Sequence, residues 1–442
     1  MKQNHRLPPS PPSLPIIGHL HHLGPLVHQS LHDLSTRYGP LMHIRLGSVS
    51  CVVASTPDLA QDLLKANDLT FSYRKHTLAI NHVTYGVGFA FAPYGPQKER
   101  VNMTEELLKL TNNVISQMMM SIRCSGTDSE ADEAKVIVRE VTKIFGEFNV
   151  SDFIWFCKNI DLQGFKKRYE EIRARYDALL EKIICEKEEM RKREQKGKDG
   201  KRKDFLDLLL DVFEDKEAQV NITRNNIKAT ILDFFVAGTD TTAVTTEWTL
   251  AELMNNPHVL EKARQEIDTV VGNKRLVNES DIPNMPYIQA IIKESLRLHP
   301  PIPLLIRKSN ANINVRGYNI PSGSLLYVNI WSIGRNPQHW ESPLEFKPDR
   351  FLEIGGSSLD FKGQNFKFLP FGTGRRSCPG VNLAMREAHV VVATLIQCFE
   401  WNHVDDKHGS LNMKERGGLT IPRAVDLVCL PSLRPNCPNI FP

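Results

Sequence analysis

Several things are scarce in this 442-residue chain, and each scarcity removes a class of function. No stretch approaches the roughly 20 consecutive apolar residues that cross a bilayer as a helix, and residues 1 to 7 lack the apolar core of a secretion signal. Eight cysteines, at 51, 124, 157, 185, 378, 398, 429 and 437, include no CxxC pair. Their irregular spacing suggests neither a zinc site nor a disulfide framework. No GxGxxG segment marks a dinucleotide site, and no internal repeat is present, so any electrons the chain uses must come from another protein. A net charge of +4 is too small and too scattered for a nucleic-acid binder.

What is present reads as a compact globular protein, with 41% hydrophobic and 24% charged residues. The chain opens with Pro8, Pro9, Pro11, Pro12 and Pro15 before Ile16, Ile17 and Gly18, a stiff segment of the kind that joins two things. Residues 28 to 38 read as an amphipathic helix, and 41 to 46 with 51 to 54 as a hairpin around Gly47. Helical periodicity then dominates. Residues 186 to 203 are almost wholly charged and read as a solvated helix end and loop. Apolar residues lie on most faces from 226 to 254, which predicts a helix passing through the core. Further helices are predicted at 257 to 271, 287 to 298 and 379 to 399, with extended pieces between 300 and 351. The fold class is mainly α with a small β region.

Three motifs carry chemistry. Residues 371 to 380, FGTGRRSCPG, place Phe371, Gly374, Arg376, Cys378 and Gly380 in the pattern FxxGxRxCxG, which would arise by chance in about one chain in ten thousand. A cysteine thiolate bound to haem iron pushes electron density toward bound oxygen and favours O–O cleavage. Pro379 is a preferred first helical residue, so the sulfur is predicted to sit at the positive end of a helix. Arg376 is placed to pair with a haem propionate. The plainer alternative is a buried cysteine in a turn before a core helix.

In the middle of the long helix comes AGTDTT, Ala237 to Thr242, a patch of poor helix formers that predicts an interruption with a functional opening. Gly238 leaves room for a small ligand, the Thr241 hydroxyl bonds a helix carbonyl or that ligand, and Asp240 feeds protons inward. The third motif pairs Glu294 with Arg297, three apart on one helical face, and adds Arg350 from FKPDRF. It predicts a buried bidentate network.

In this order the motifs resemble the cytochrome P-450 family over essentially the whole chain. The resemblance implies the P-450 fold, haem b with Cys378 as axial thiolate ligand, and Arg376 as a propionate partner. It implies proton delivery by Asp240 and Thr241, a structural triad of Glu294, Arg297 and Arg350, and a second propionate ligand at Arg307. It further implies O2 and an NADPH-cytochrome P-450 reductase as partners, the reductase docking around Arg375, Arg376 and Arg386. Residues 1–24 resemble the hinge after the membrane anchor of plant microsomal members. Residues 25–442 form one catalytic domain, on the cytoplasmic face of the endoplasmic reticulum; the anchor itself is absent.

The segments 145 to 159, 175 to 184 and 419 to 429 are most similar to the flavone synthase branch, which acts on flavanones, and share much with makers of 2-hydroxyisoflavanones. Substrate walls are implied at the loop 76 to 91, Phe153, Ala237, Leu304, Ile306 and Leu419. One departure stands out: members follow APYG with a helix bearing WxxxR, whereas Gly95 here runs straight into PQKER and the first tryptophan is Trp155. A helix after Gly95 therefore reads as deleted, with Arg100 a poor substitute. A second reading, of a different class, is thus a shortened, non-catalytic chain that holds haem poorly.

Overall fold

The computed structural model describes residues 7–65, 101–121, 137, 140–158, 160–194, 203–352, 359–403 and 411–438. The implied loop 76 to 91, the segment after Gly95 and Arg100 lie outside these residues. The helices are α1 (Val27–Tyr38), α2 (Pro57–Leu64), α3 (Met103–Met120), α4 (Phe165–Glu194), α5 (Phe205–Glu214), α6 (Arg224–Asn255), α7 (Pro257–Val270), α8 (Pro286–Leu298), α9 (Ile330–Ile333) and α10 (Val381–Cys398). The strands used below are β1 (Leu41–Leu46), β2 (Val49–Ala54), β3 (Leu304–Lys308), β4 (Ile313–Val315), β5 (Tyr318–Ile320), β6 (Leu325–Asn329), β7 (Phe399–His403) and β8 (Val428–Leu433). Among the described residues, no helix is long and apolar enough to cross a membrane.

The chain packs as two compact units. One comprises residues 1–75, 150–160 and 244–442, the other 76–149 and 161–243. In the first, a four-stranded sheet has the order β1-β2-β6-β3, with β2 and β6 parallel and the outer pairs antiparallel. The turn between β4 and β5 holds Arg316 and Gly317 at φ of 50° and 84°, the two left-handed residues that a tight hairpin with the native strand twist requires. Apolar residues of α7, α8 and α10 make a second layer, in which Ile288, Ile292, Val392 and Ile396 are fully buried. Each such side chain removed from water contributes about 1.5–3 kcal/mol.

The proline-rich start is not a free connector. The Pro9 carbonyl accepts from His43 N–H at 2.8 Å, and His19 N–H donates to Arg45 O at 2.6 Å, so the segment runs along β1 and covers that edge.

In the second unit α4 continues to Glu194, through charges that the sequence placed in solvent. Pairing explains the difference: Lys187 meets Asp204 at 2.5 Å and Asp207 at 2.9 Å, and Arg191 meets Asp211 at 2.6 Å. Lys228 of α6, nearly buried, reaches Asp177 and Glu181 of α4. The three helices are therefore joined by ion pairs, and Lys187 and Arg191 are partnered within a helix end whose other charges, such as Lys192 and Arg193, stay exposed.

Candidate functional site

The site in the first unit rests on a buried charge network. Glu294 and Arg297, one turn apart on α8, meet through two bonds, Nε to Oε2 at 2.7 Å and Nη2 to Oε1 at 2.8 Å, with both side chains inaccessible to water. Arg350 Nε donates to the same Oε1 at 3.0 Å, and the Lys347 N–H adds a bond at 2.8 Å. Arg297 Nη1 also donates to the carbonyls of Gly334 and Pro343. Burying a charge is costly unless its donors and acceptors are filled. Here they are filled by the chain at 334–350, which is thereby fixed against α8.

The cysteine loop follows. Gly372 and Gly374 stand at φ of 71° and 72°, a left-handed backbone that residues with a Cβ rarely adopt. Between them Thr373 donates from Oγ1 to Gly363 O at 2.7 Å. The Cys378 N–H donates to Phe371 O at 2.9 Å, closing the loop, and the Phe371 ring meets Phe361 edge-on at 5.7 Å. Cys378 is half-buried and outside any disulfide. A Cβ built on Gly380 would meet only the Cys378 sulfur, at 3.8 Å, in otherwise open space.

The helix after the loop starts later than the sequence predicted. Gly380 is the residue before the first turn and its carbonyl accepts from Ala384 N–H at 2.9 Å. Pro379 is thus outside α10, and two residues separate Cys378 from its first helical residue. The loop needs those residues to turn from the 3-10 turn at Gly374–Arg376 into the helix direction.

Strand β3 brings Arg307 to this loop. Its side chain is almost completely buried, and Nη2 donates to Arg376 O at 3.0 Å while Nη1 donates to Ile306 O. A Cβ on Gly372 would come within 3.8 Å of that guanidinium and within 3.7 Å of Leu305. Alternation along the strand turns Leu304 and Ile306 the other way, where they pack with Phe153 against Leu31, Met42 and Ile44. Three of the implied substrate residues are therefore found together in one apolar cluster. Arg376 itself is exposed at the surface.

In the second unit, Ala237 to Thr242 lie within one continuous helix, α6, and the predicted interruption is absent. Packing overrides the weak propensity of AGTDTT. A Cβ on Gly238 would stand 2.7 Å from Ile115 Cδ1, so this glycine permits the close approach of α3. Thr241 Oγ1 donates to Ala237 O, the carbonyl option that the sequence left open. Thr239 is buried with its hydroxyl unpartnered, while Asp240 and Thr241 are half-buried.

Leu419 lies partly buried in the loop 411–424 of the first unit, whose arms are joined by Arg416 N–H to Pro422 O at 2.9 Å and Ala424 N–H to Lys414 O at 2.7 Å. Its anchor escaped the sequence reading. Glu415 accepts from His28 Nε2 at 2.6 Å, Gln29 Nε2 at 3.0 Å and Trp331 Nε1 at 2.8 Å. Burial pushes this carboxyl up, but the bonds from His28 and Trp331 and the charge of Arg335 outweigh it and hold it at about 2. No local pattern marks such a residue, because its partners are some 85 to 390 positions away.

A model of the family described as "Cytochrome P450" matches residues 8–100 and 92–430 of the chain. "Cytochrome P450 93B2" of Gerbera hybrida is 67% identical over 484 aligned positions, covering 99% of this chain and 94% of that protein. "3,9-dihydroxypterocarpan 6A-monooxygenase" of Glycine max is 46% identical, covering 97% and 94%. "2-hydroxyisoflavanone synthase" of Glycyrrhiza echinata is 42% identical, covering 98% and 93%. The Gerbera alignment is 42 positions longer than the 442-residue chain.

Proposed function

This chain belongs to the cytochrome P450 family, and from that premise we propose that it oxidises flavonoids, converting a flavanone to a flavone. It is a monooxygenase, its cofactor is haem b bound through a cysteine thiolate, and O2, a small-molecule substrate and a redox partner complete the reaction. Flavone formation removes two hydrogens from adjacent ring carbons. Those electrons, with two more from NADPH through a reductase, reduce O2 to two waters.

In this reading Cys378 would hold the haem iron through its thiolate. The residues present suit a haem: a half-buried thiol, open space beside its sulfur at Gly380, and a buried guanidinium against the same loop. When bound, the haem supplies binding and reductive activation of O2. Arg307 and Arg376 would hold its propionates, charge-assisted bonds being the strong ones. Thr241 on α6, whose hydroxyl donates to Ala237 O, serves as the proton donor, and Asp240 relays protons to it. Phe153, Leu304, Ile306 and Leu419 of the first unit supply apolar surface for a flat aromatic substrate, and Ala237 of α6 is a further candidate contact. Glu294, Arg297 and Arg350 hold the chain preceding the loop. The working place is the cytoplasmic face of the endoplasmic reticulum.

The observation that carries the substrate class is the similarity, over nearly the whole chain, to proteins named a 3,9-dihydroxypterocarpan 6A-monooxygenase and a 2-hydroxyisoflavanone synthase. The same similarity favours one second reading, 2-hydroxylation of the flavanone or its conversion to a 2-hydroxyisoflavanone. Incubation of the full chain with reductase, NADPH and a flavanone, followed by product identification, separates them. A flavone as the first product supports the proposal, whereas a 2-hydroxyflavanone or a 2-hydroxyisoflavanone supports the second reading and rejects the first.

A further inference from the structure

The last turn of α10 and the residues after β8 form a second sulfur-bearing place, far along the helix from the cysteine loop. Strands β7 and β8 pair with Phe399 opposite Leu433. Arg434 then folds back over the helix end: its N–H donates to Cys398 O at 2.9 Å, and Nη1 to Ile396 O and Gln397 O at 3.4 and 3.3 Å. These are carbonyls a helix leaves unpaired at its C-terminus. The guanidinium also pairs with Asp268 of α7 at 3.0 Å, so the turn is held from two sides.

Next, the Cys437 N–H donates to Arg434 O at 2.9 Å. That tight turn returns the chain to the helix end and brings the Cys437 thiol within hydrogen-bonding reach of Cys398. Both are free thiols, Cys398 buried and Cys437 half-buried. Burial pushes the Cys398 thiol above its ordinary value, and the Arg434 charge opposes this in part. A buried thiol beside an accessible one is the arrangement in which one sulfur meets an oxidant and the other resolves the product.

We propose that Cys398 and Cys437 are a peroxide-responsive pair that closes to a reversible disulfide and staples the chain after β8 to the end of α10. The oxidant is hydrogen peroxide, the two-electron reduction product of the O2 that this enzyme class consumes. The Cys437 sulfur attacks one peroxide oxygen, the O–O bond breaks, and a sulfenic acid and water form. The Cys398 sulfur then attacks that sulfenic sulfur, the S–O bond breaks, and the Cys398 proton leaves with the hydroxyl as a second water. The two sulfurs lose two electrons and the peroxide gains them. The attack by Cys398 is the slow step, because its thiolate is scarce.

The haem-loaded chain is treated with hydrogen peroxide, its remaining thiols are alkylated, and the digest is analysed by mass. The expected result is a peptide pair joined through residues 398 and 437, lighter by two hydrogens than the separate peptides and released by dithiothreitol. Cys437→Ser abolishes the pair. The oxidised wild type melts a few degrees above the reduced form, a difference absent from Cys437→Ser. Recovery of Cys437 as sulfinic acid with Cys398 still alkylatable, or of both thiols unchanged while peroxide is consumed, overturns the proposal.

Discussion

Arg307 on β3 and Arg376 in the cysteine loop are joined side chain to backbone, Nη2 to O at 3.0 Å, so one buried cation fixes the loop before any cofactor enters. Arg307→Lys keeps the charge but cannot reproduce the fork that bonds Ile306 O and Arg376 O together. Loss of a buried bond from a charged group costs about 1.5–3 kcal/mol. Haem transfer from the variant to an apo-globin acceptor is therefore expected to be about tenfold faster or more. Transfer at the wild-type rate rejects this role.

Glu294→Gln leaves Arg297 and Arg350 without their shared carboxylate in a site closed to water. Removing one partner of a buried pair costs about 3–5 kcal/mol. The variant is expected to unfold at markedly lower urea and to lose haem content with it. An unchanged urea midpoint contradicts the network's structural weight.

Thr241→Ala tests proton delivery apart from folding. Alanine is the better helix former and the Thr241 hydroxyl donates to Ala237 O within α6, so stability is expected to change by no more than a few tenths of a kcal/mol. Product per NADPH is expected to fall about tenfold or more, with NADPH still consumed and peroxide released. Full coupling in Thr241→Ala, or an equal fall in NADPH consumption and product, removes Thr241 from the mechanism.

Glu387 on α10 supplies a pH test. Its Oε1 has no hydrogen-bond partner, and burial raises the carboxyl from 4.5 to about 8. The unfolded chain releases this proton near 4.5 while the folded chain keeps it to about 8. Stability from this group is thus complete below 4.5 and declines as pH rises to 8. In Glu387→Gln the fall in melting temperature between pH 5 and pH 8 is expected to shrink by several degrees. An identical fall in both proteins refutes the assignment.

Local order carried much of this. The period of Leu31 and Leu34 in α1, the hairpin at Gly47 and the apolar length of α6 are short-range patterns, and helix and strand follow from them. The spacing of Glu294 and Arg297 gave their pairing, because residues three apart on a helix share a face. Three things were not legible. Helix α6 runs unbroken because Ile115 and other distant residues pack on its weak patch. Pro379 lies outside α10 because the preceding glycine turns, not the helix, set the chain direction. Glu415 binds partners in α1 and α9 that no window of sequence contains.

In the proposed function the Cys378 sulfur is the thiolate ligand of the haem iron. The reduced carbon-monoxide difference spectrum of the purified chain and of Cys378→Ser tests it directly. A thiolate-type Soret band is expected in the first and its loss in the second; a wild-type chain without that band, or a serine variant that keeps it, rules out Cys378 as the ligand.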